Sequence, residues 1–183
     1  MREHVAVLTE LGADARPIRR PAELAEVHGL VIPGGESSVM DKLSRIFGLA
    51  EPLKAAIGAG LPVYGTCAGL IMLADSILDG IGGQQTLGGL DIDVRRNAFG
   101  PQVESFEVDL DVPVVGESPV HAVFIRAPVV ERLGPDVTAL ATLGDGRVVA
   151  VESGNLLGTS FHPEMTGETR FHEYFLDKVR QRG

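Results

Sequence analysis

The stretch "LPVYGTCAGLIML", residues 61–73, contains the only cysteine of the chain and decides how the rest of the sequence is interpreted. An apolar run that ends at Gly65 predicts a buried strand, and a second run from Ala68 predicts a helix. Cys67 therefore lies at a strand-to-helix turn, flanked by Gly65 and Gly69 at the G-x-nucleophile-x-G spacing of a nucleophile elbow. Most lone cysteines are small buried hydrophobes. The two glycines instead favour a thiol exposed at the sheet edge, where the helix N-terminus stabilises the reactive thiolate.

The composition fits a single globular domain. The chain has 183 residues, of which 44% are hydrophobic and 22% charged, so we expect residues 1–183 to form one domain. A formal net charge of −9 without a basic cluster argues against nucleic acid or an anionic membrane as partner. We expect a cytoplasmic protein, because no membrane span or signal peptide is evident. With one cysteine we expect no disulfide, and we predict neither a metal site nor a cofactor.

The order of elements predicts an α/β fold. Strands at 29–32 and 61–65 alternate with helices in the first half, which is typical of a parallel sheet covered on both faces. "ARPIRR", residues 15–20, could add a short strand, and Ser37 or Ser38 could cap a helix that ends near Ile46. The other predicted helices are 2–11, 21–27, 51–59, 68–74 and 169–180. Strand-like runs dominate from residue 88: "LDIDV", "VESFEVDL", "HAVFIR", "VTALATL", "RVVAVES" and "LLGTSF".

A nucleophilic thiol needs a base, and one of the five histidines is suited to that role. His162 ends a predicted strand and precedes Pro163, which keeps the backbone extended there. Residues two apart in extended chain point the same way, so Glu164 can orient the imidazole. "HPE" alone is equally compatible with an exposed polar strand end. His4 and His172 fall on the terminal helices, where we expect them to be solvated.

The glycine-rich segment "IPGGESS", residues 32–38, follows a buried strand. Its backbone N–H groups are candidates for an oxyanion hole, with Gly34 or Gly35 as one donor and Ala68 as the other. A plain turn is the alternative for a lone "PGG". The three segments each follow a strand, and the ends of parallel strands meet at one crevice, so together they are more specific than any one of them.

A "PGG" loop, a G-x-C-x-G elbow and a late "FHPE", in this order, resemble the class I, triad-type glutamine amidotransferases. Longer motifs are similar to the glutaminase subunits of the two-protein pyridoxal 5'-phosphate synthase. They are "GLVIPGGESS", "GTCAGLIMLA", "RRNAFGPQVESFE", "VFIRAP" and "SFHPE". The resemblance covers nearly the whole chain and implies a three-layer, flavodoxin-like mixed sheet.

The resemblance also implies a set of site residues. Cys67 is the nucleophile, and His162 and Glu164 complete the triad. The substrate contacts are Gly35, Glu36, Ser37, Arg96, Ile125 and Arg126. Glutamine carries an ammonium and a carboxylate, which suit a carboxylate such as Glu36 and a guanidinium such as Arg96 or Arg126. Without the resemblance, a surface salt bridge would be the better interpretation of Arg96.

The implied reaction converts L-glutamine and water to L-glutamate and ammonia through a cysteine thioester. The implied partner is the synthase subunit, which receives the ammonia through a channel and makes pyridoxal 5'-phosphate from a pentose phosphate and a triose phosphate. Two alternatives stay open. One is a cysteine hydrolase or chaperone of the DJ-1 type, although that group lacks a late strand ending in His-Pro-Glu. The other is a non-catalytic, glutaminase-like regulator of the synthase.

The sequence departs from the family pattern at its start. The family opens with a strand and an "LQG"-like turn before the "REH" helix, whereas Met1 here directly precedes Arg2. In a flavodoxin-like sheet that strand lies between the second and third strands, here 15–19 and 29–32. We therefore expect a gap of about 9–10 Å between them. We also expect a truncated chain that is poorly soluble or inactive until about a dozen upstream residues are restored.

Overall fold

The computed structural model describes residues 1–100 and 105–182, so "PQVE" of the motif "RRNAFGPQVESFE" lies outside the described residues. The helices are α1 (Arg2–Glu10), α2 (Pro21–Leu24), α3 (Ser37–Ile46), α4 (Ala50–Gly58), α5 (Ala68–Leu73) and α6 (Arg170–Arg182). The strands are β1 (Leu30–Ile32), β2 (Val63–Thr66), β3 (Ala74–Ile77), β4 (Leu90–Arg95), β5 (Ser105–Leu110), β6 (Val120–Ile125), β7 (Val129–Leu133), β8 (Thr138–Thr142), β9 (Val148–Ser153) and β10 (Leu156–Thr159).

The main sheet is mixed, and its parallel part carries the elbow. Its strand order is β1-β2-β10-β9-β7-β4-β3, with β8 on β9, while β5 and β6 form a separate hairpin. β2 pairs in parallel with both β1 and β10, so Tyr64 lies between Val31 and Leu157. β10 then pairs antiparallel with β9. The predicted α/β class with a mixed sheet is confirmed. The parallel arrangement brings the carboxyl ends of β1, β2 and β10 to the same edge.

Each face of the sheet has its own core. Val63 and Tyr64 are adjacent and both fully buried, but they belong to different apolar clusters because successive strand residues point to opposite faces. Val63 packs with residues of α5 such as Leu70, whereas Tyr64 packs with Phe171 and Phe175 of α6. Helices therefore cover both faces of the central strands, which fixes the position of the turns at their ends.

One predicted strand is wrong, and a cavity lies beside it. Residues 13–19 form no strand, whereas α1 and β1 begin within a residue of their predicted positions. A cavity of about 460 Å³ separates segment 13–18 from β1 and is also lined by α1 and α6. Among the described residues, β1 pairs only with β2. The gap of about 9–10 Å expected between two strands here stays a prediction, because only one of the two strands forms. The segment forms no strand because its backbone has no neighbour with which to build a ladder.

Smaller differences concern a cap and two strands. Glu36, rather than Ser37 or Ser38, is the N-cap of α3, and its carboxylate accepts the Ser38 N–H at 3.3 Å. β3 and β7 were not predicted. β3 follows α5 without a turn residue between them. Its first residue, Ala74, is apolar and was therefore predicted to belong to the helix. Within residues 1–100 and 105–182, no helix has the length and apolar character required to cross a membrane.

Candidate active site

Cys67 lies in a strained turn between β2 and α5. Its φ of 51° and ψ of −105° are a conformation that L-residues rarely adopt, at a cost of about 1–3 kcal/mol. The Cys67 N–H donates to the Thr159 carbonyl at 2.7 Å, which ties the elbow to β10. Ala68 opens α5, so its N–H has no helical carbonyl partner. The side chain is only 7% exposed, so the thiol is more covered than the sequence led us to expect.

The two flanking glycines are required by close approach of backbones. A Cβ at Gly69 would lie 2.0 Å from the Ile32 carbonyl oxygen of β1. A Cβ at Gly65 would lie 2.5 Å from the backbone of Gly69. Real Cβ atoms essentially never come this close, so larger residues would push α5 away from β1 and β2. The elbow spacing thus has a packing cause, which places the thiol at the strand ends.

His162 and Glu164 form a hydrogen-bonded pair beside the elbow. His162 follows β10, its N–H donates to the Val123 carbonyl at 3.0 Å, and Pro163 starts a short 3₁₀ turn. His162 Nδ1 lies 2.9 Å from Glu164 Oε1, so the carboxylate accepts the Nδ1 proton. This contact leaves Nε2 as the nitrogen for exchange with a reacting group.

The electrostatics of the pair favour an ionised state. Burial opposes a charge on His162, but hydrogen bonds with Cys67 and then Glu164 outweigh it and raise the pKa of His162 to about 10. Burial likewise opposes ionisation of Glu164, yet hydrogen bonds from His162 and His4 hold the pKa of its carboxyl well below the usual range. The raised pKa favours the imidazolium form of His162 near neutral pH, which has a proton to donate.

The Gly34–Gly35 turn lies against both reacting side chains. A Cβ at Gly34 would lie 2.6 Å from His162 Cε1 and 3.6 Å from Cys67 Cβ. Only a glycine therefore leaves room for the imidazole at this position. Gly35 has a φ of 149°, in the region that favours glycine. The turn that the sequence nominates as an oxyanion donor is thus adjacent to the thiol.

Glu36, Ser37 and Arg96 are joined in one polar network. Arg96 Nη2 donates to Glu36 Oε1 at 3.2 Å, and its Nη1 donates to Gln84 Oε1 at 3.0 Å. Gln84 in turn donates to the buried hydroxyl of Ser37 at 2.9 Å. Burial opposes ionisation of Glu36, but the hydrogen bonds from Ser38 and the charges of Arg96 and Arg126 lower its pKa. The network holds the Glu36 carboxylate, directly after the Gly34–Gly35 turn, against the Arg96 guanidinium.

The end of β6 closes the crevice. The Ile125 carbonyl oxygen lies 3.9 Å from Cys67 Sγ, and Arg126 follows with a φ of 43°. This positive φ turns the chain sharply at the end of the strand, and the Arg126 charge acts on Glu36. Ile125 thus contacts the elbow cysteine, and Arg126 interacts with Glu36 beside the Gly34–Gly35 turn. The catalytic and binding roles of the nominated residues stay predictions.

Three neighbours of the site were missed or misjudged. Gln84, which bridges Ser37 and Arg96, lies in a loop without a sequence signal. His4 and His172, expected to be solvated, are buried at 3% and 0% exposure, so that expectation was wrong. Helical spacing carried the missed signal. His4 lies three residues before buried Val7 on α1, and His172 shares a face with Phe175 and Leu176 on α6.

An elbow cysteine beside a buried His–Glu pair, at the edge of a mixed sheet, is the arrangement that is typical of α/β cysteine hydrolases. The chain belongs to the SNO glutamine amidotransferase family, whose model matches residues 1–181.

Similar proteins agree with this assignment. The pyridoxal 5'-phosphate synthase subunit PdxT of Leifsonia xyli subsp. xyli is 69% identical over 182 residues, covering 100% of this chain and 92% of that protein. PdxT of Streptomyces avermitilis is 59% identical over 180 residues, covering 98% of this chain and 89% of that protein. A crystal structure of a glutamine amidotransferase has a TM-score of 0.90 at 46% identity, covering 97% of this chain and 93% of that one.

Proposed function

We propose that this chain hydrolyses L-glutamine to L-glutamate and ammonia and supplies the ammonia to the synthase subunit of pyridoxal 5'-phosphate synthase, for vitamin B6 biosynthesis. Membership of the glutamine amidotransferase family and the names of the PdxT relatives support the reaction and the pathway. The observation that carries the chemistry is the strained Cys67 beside His162, whose Nδ1 lies 2.9 Å from Glu164.

In the first half-reaction the Cys67 thiolate attacks the side-chain amide carbon of glutamine. The C–O π electrons move to oxygen, and the N–H groups of Ala68 and of Gly34 or Gly35 stabilise this oxyanion. His162 donates its proton to the amide nitrogen as the C–N bond breaks. Ammonia leaves, and a thioester joins Cys67 to the glutamyl group.

In the second half-reaction His162, now neutral, accepts a proton from water. The hydroxide attacks the thioester, the C–S bond breaks, and Cys67 returns to thiolate while His162 keeps the water proton as imidazolium. The product leaves with a protonated side-chain carboxyl, which gives its proton to solvent or to the released ammonia and becomes glutamate. Glu164 holds the imidazole in the tautomer that both steps require. No proton is gained or lost by the protein over the cycle.

Glu36, Ser37, Arg96, Ile125 and Arg126 are proposed to bind the α-amino and α-carboxylate groups of glutamine. The lowered pKa of Glu36 keeps a negative charge available for the ammonium. Arg96 is 12% exposed in its side chain, and its guanidinium lies 3.2 Å from that carboxylate, so both charges are fixed before substrate arrives. Fixed charges reduce the ordering cost of binding.

Free ammonia is protonated in neutral water and is then a poor nucleophile, so a physical channel to the synthase subunit accounts for the two-protein organisation. A cytoplasmic location, and the absence of nucleic-acid or membrane partners, stay predictions. Family membership disfavours the DJ-1 type alternative. The intact Cys67–His162–Glu164 set argues against a purely regulatory protein.

Replacement of the nucleophile tests the proposal. Cys67→Ala is expected to lower glutamine hydrolysis by at least about 10⁴-fold, because the thioester can no longer form. Synthase binding should persist, and added ammonium should still support pyridoxal 5'-phosphate formation. Glutamine-dependent and ammonium-dependent product formation by the complex measure the two effects. Retained glutaminase activity in Cys67→Ala would overturn the mechanism.

A further inference from the structure

Two buried histidines lie behind the glutamate of the triad. His4 of α1 and His172 of α6 are 168 positions apart, yet His4 Nδ1 lies 2.9 Å from His172 Nε2. On the other side of the ring, His4 Nε2 lies 3.3 Å from Glu164 Oε1 and 3.2 Å from the Thr66 hydroxyl. A continuous row of polar contacts therefore runs from α6 through α1 to the glutamate.

The contact with the carboxylate fixes a proton on one nitrogen of His4. A carboxylate only accepts, so His4 Nε2 carries a proton that it shares between Glu164 Oε1 and Thr66 Oγ1. One proton lies between His4 Nδ1 and His172 Nε2, so each ring holds the other in place. Burial, and next the charge that His4 would carry, lower the pKa of His172 to about 4, so His172 is neutral near pH 7.

The orientation of the Glu164 carboxylate depends on a single oxygen. Oε1 contacts both His162 and His4, whereas Oε2 is buried without a hydrogen-bond partner in the described part of the chain. If the His4 contact were absent, His162 alone would hold the carboxylate, and rotation of Glu164 would misalign the imidazole.

We propose that His4, itself oriented by His172, is a positioning residue that holds the Glu164 carboxylate against His162 during glutamine hydrolysis. This inference rests on the proposed glutaminase function. It gives α1 a role in the reaction. This role affects the Cys67 thiol only indirectly, through Glu164 and His162.

The pH dependence follows from the groups around Glu164. The titratable side chains that act on Glu164 or respond to its charge are His162, His4, Glu3, Tyr64 and His172. The His4 contact is among the causes that keep the pKa of Glu164 low. Without it the carboxyl retains its proton at higher pH, so the acidic limb of the kcat profile should move upward.

A matched pair of variants separates positioning from packing. In His4→Asn the amide can still form a hydrogen bond with His172 but is too short to reach Glu164. In His4→Gln the amide nitrogen reaches the place of Nε2 and can still donate to the carboxylate. His28→Gln, which removes an exposed histidine, is the control. All are assayed as full chains in complex with the synthase subunit.

We expect His4→Asn to lower kcat by about 10- to 100-fold with little change in KM, and to move the acidic limb upward by about one pH unit. His4→Gln should recover most of kcat and the original limb, and His28→Gln should match the unaltered chain. Equal kcat and an unmoved limb in all variants would overturn the inference, as would equal losses in His4→Asn and His4→Gln.

A measurement on the unaltered protein is independent of variant folding. Histidine ¹⁵N chemical shifts near pH 7 should show His4 with a protonated Nε2. A bare Nε2 on His4 would overturn the inference. Failure of the Cys67→Ala test would instead reject the glutaminase function, so the two failures are distinguishable.

Discussion

At the scale of single residues, the space that glycine leaves is as important as the groups that react. His162 Cε1 occupies the volume that a side chain at position 34 would need, and the Ile32 carbonyl occupies that volume at position 69. Cys67 differs from these glycines because it adopts a positive φ although it carries a side chain. The small size of these glycines therefore allows the imidazole and the β1 backbone to pack close to the elbow.

Gly34→Ala is expected to lower kcat by about 100-fold, because the new methyl group would displace the His162 ring by roughly 1 Å. The clash is with a side chain at the crevice, so the melting temperature should change little. Steady-state glutaminase assays and thermal unfolding measure the two effects. Gly58→Ala, at a helical position without a neighbour within 4 Å, is the control and should be fully active. Full activity in Gly34→Ala would contradict the role of this contact.

Glu36→Gln is expected to raise KM for glutamine by about 10- to 100-fold with a smaller effect on kcat, since one charged hydrogen bond to the substrate ammonium is lost. Initial-rate kinetics over a range of glutamine concentrations separate the two constants. Glu51→Gln removes a carboxylate from an exposed ion pair with Lys54 and should change neither constant. A KM that is equal in the two variants would contradict the assignment of Glu36.

At the scale of elements, the terminal helices connect the ends of the chain to the site. α1 places His4 against Glu164, and α6 places His172 against His4 while Phe171 and Phe175 pack on Tyr64 of β2. These helices thus supply both apolar cover for the sheet and polar groups inside it. A buried neutral histidine makes their packing sensitive to acid.

The pH dependence of stability should therefore carry a contribution from α6. The pKa of His172 is lowered to about 4, so between its ordinary pKa of about 6.5 and 4 the unfolded chain binds a proton that the folded chain does not. The free energy of unfolding should then fall with decreasing pH, by about 3 kcal/mol at the lower limit. His172→Gln should flatten this part of the curve in urea unfolding. An unchanged slope in that variant would contradict the burial of a neutral His172.

At the scale of the whole molecule, β1 borders both the candidate active site and a cavity. The carboxyl end of β1 leads into the Gly34–Gly35 turn, while its free edge faces the cavity of about 460 Å³. Pairing with β2 alone supports this short strand among the described residues. The oxyanion turn therefore depends on one of the less supported strands of the sheet.

We expect glutaminase activity to depend on the partner. The glycine-rich turn can change orientation at low cost, so the synthase subunit should raise kcat by about 100-fold, the effect of one oxyanion donor. Glutamate release is measured with and without the synthase subunit, with serum albumin in its place as control. Equal rates in the two preparations would contradict this dependence.

The sequence alone was sufficient for the features that local spacing controls. The elbow around Cys67 and the His162–Glu164 pair each involve residues within a few positions, so strand, turn and proline rules apply to them directly. Apolar periodicity likewise predicted α1, β1 and β2 within a few residues. The α/β class followed from the order of such elements.

Only the tertiary structure decided the contacts between distant positions. His4 and Glu164 are far apart in sequence, and Gln84 meets Ser37 and Arg96 from a loop, so no local pattern reports these contacts. The segment 15–20 is the converse case, in which the sequence predicted a strand that the fold does not form. Its composition allows a strand, but a strand forms only where a neighbouring backbone accepts its hydrogen bonds, and that neighbour is decided by the fold as a whole.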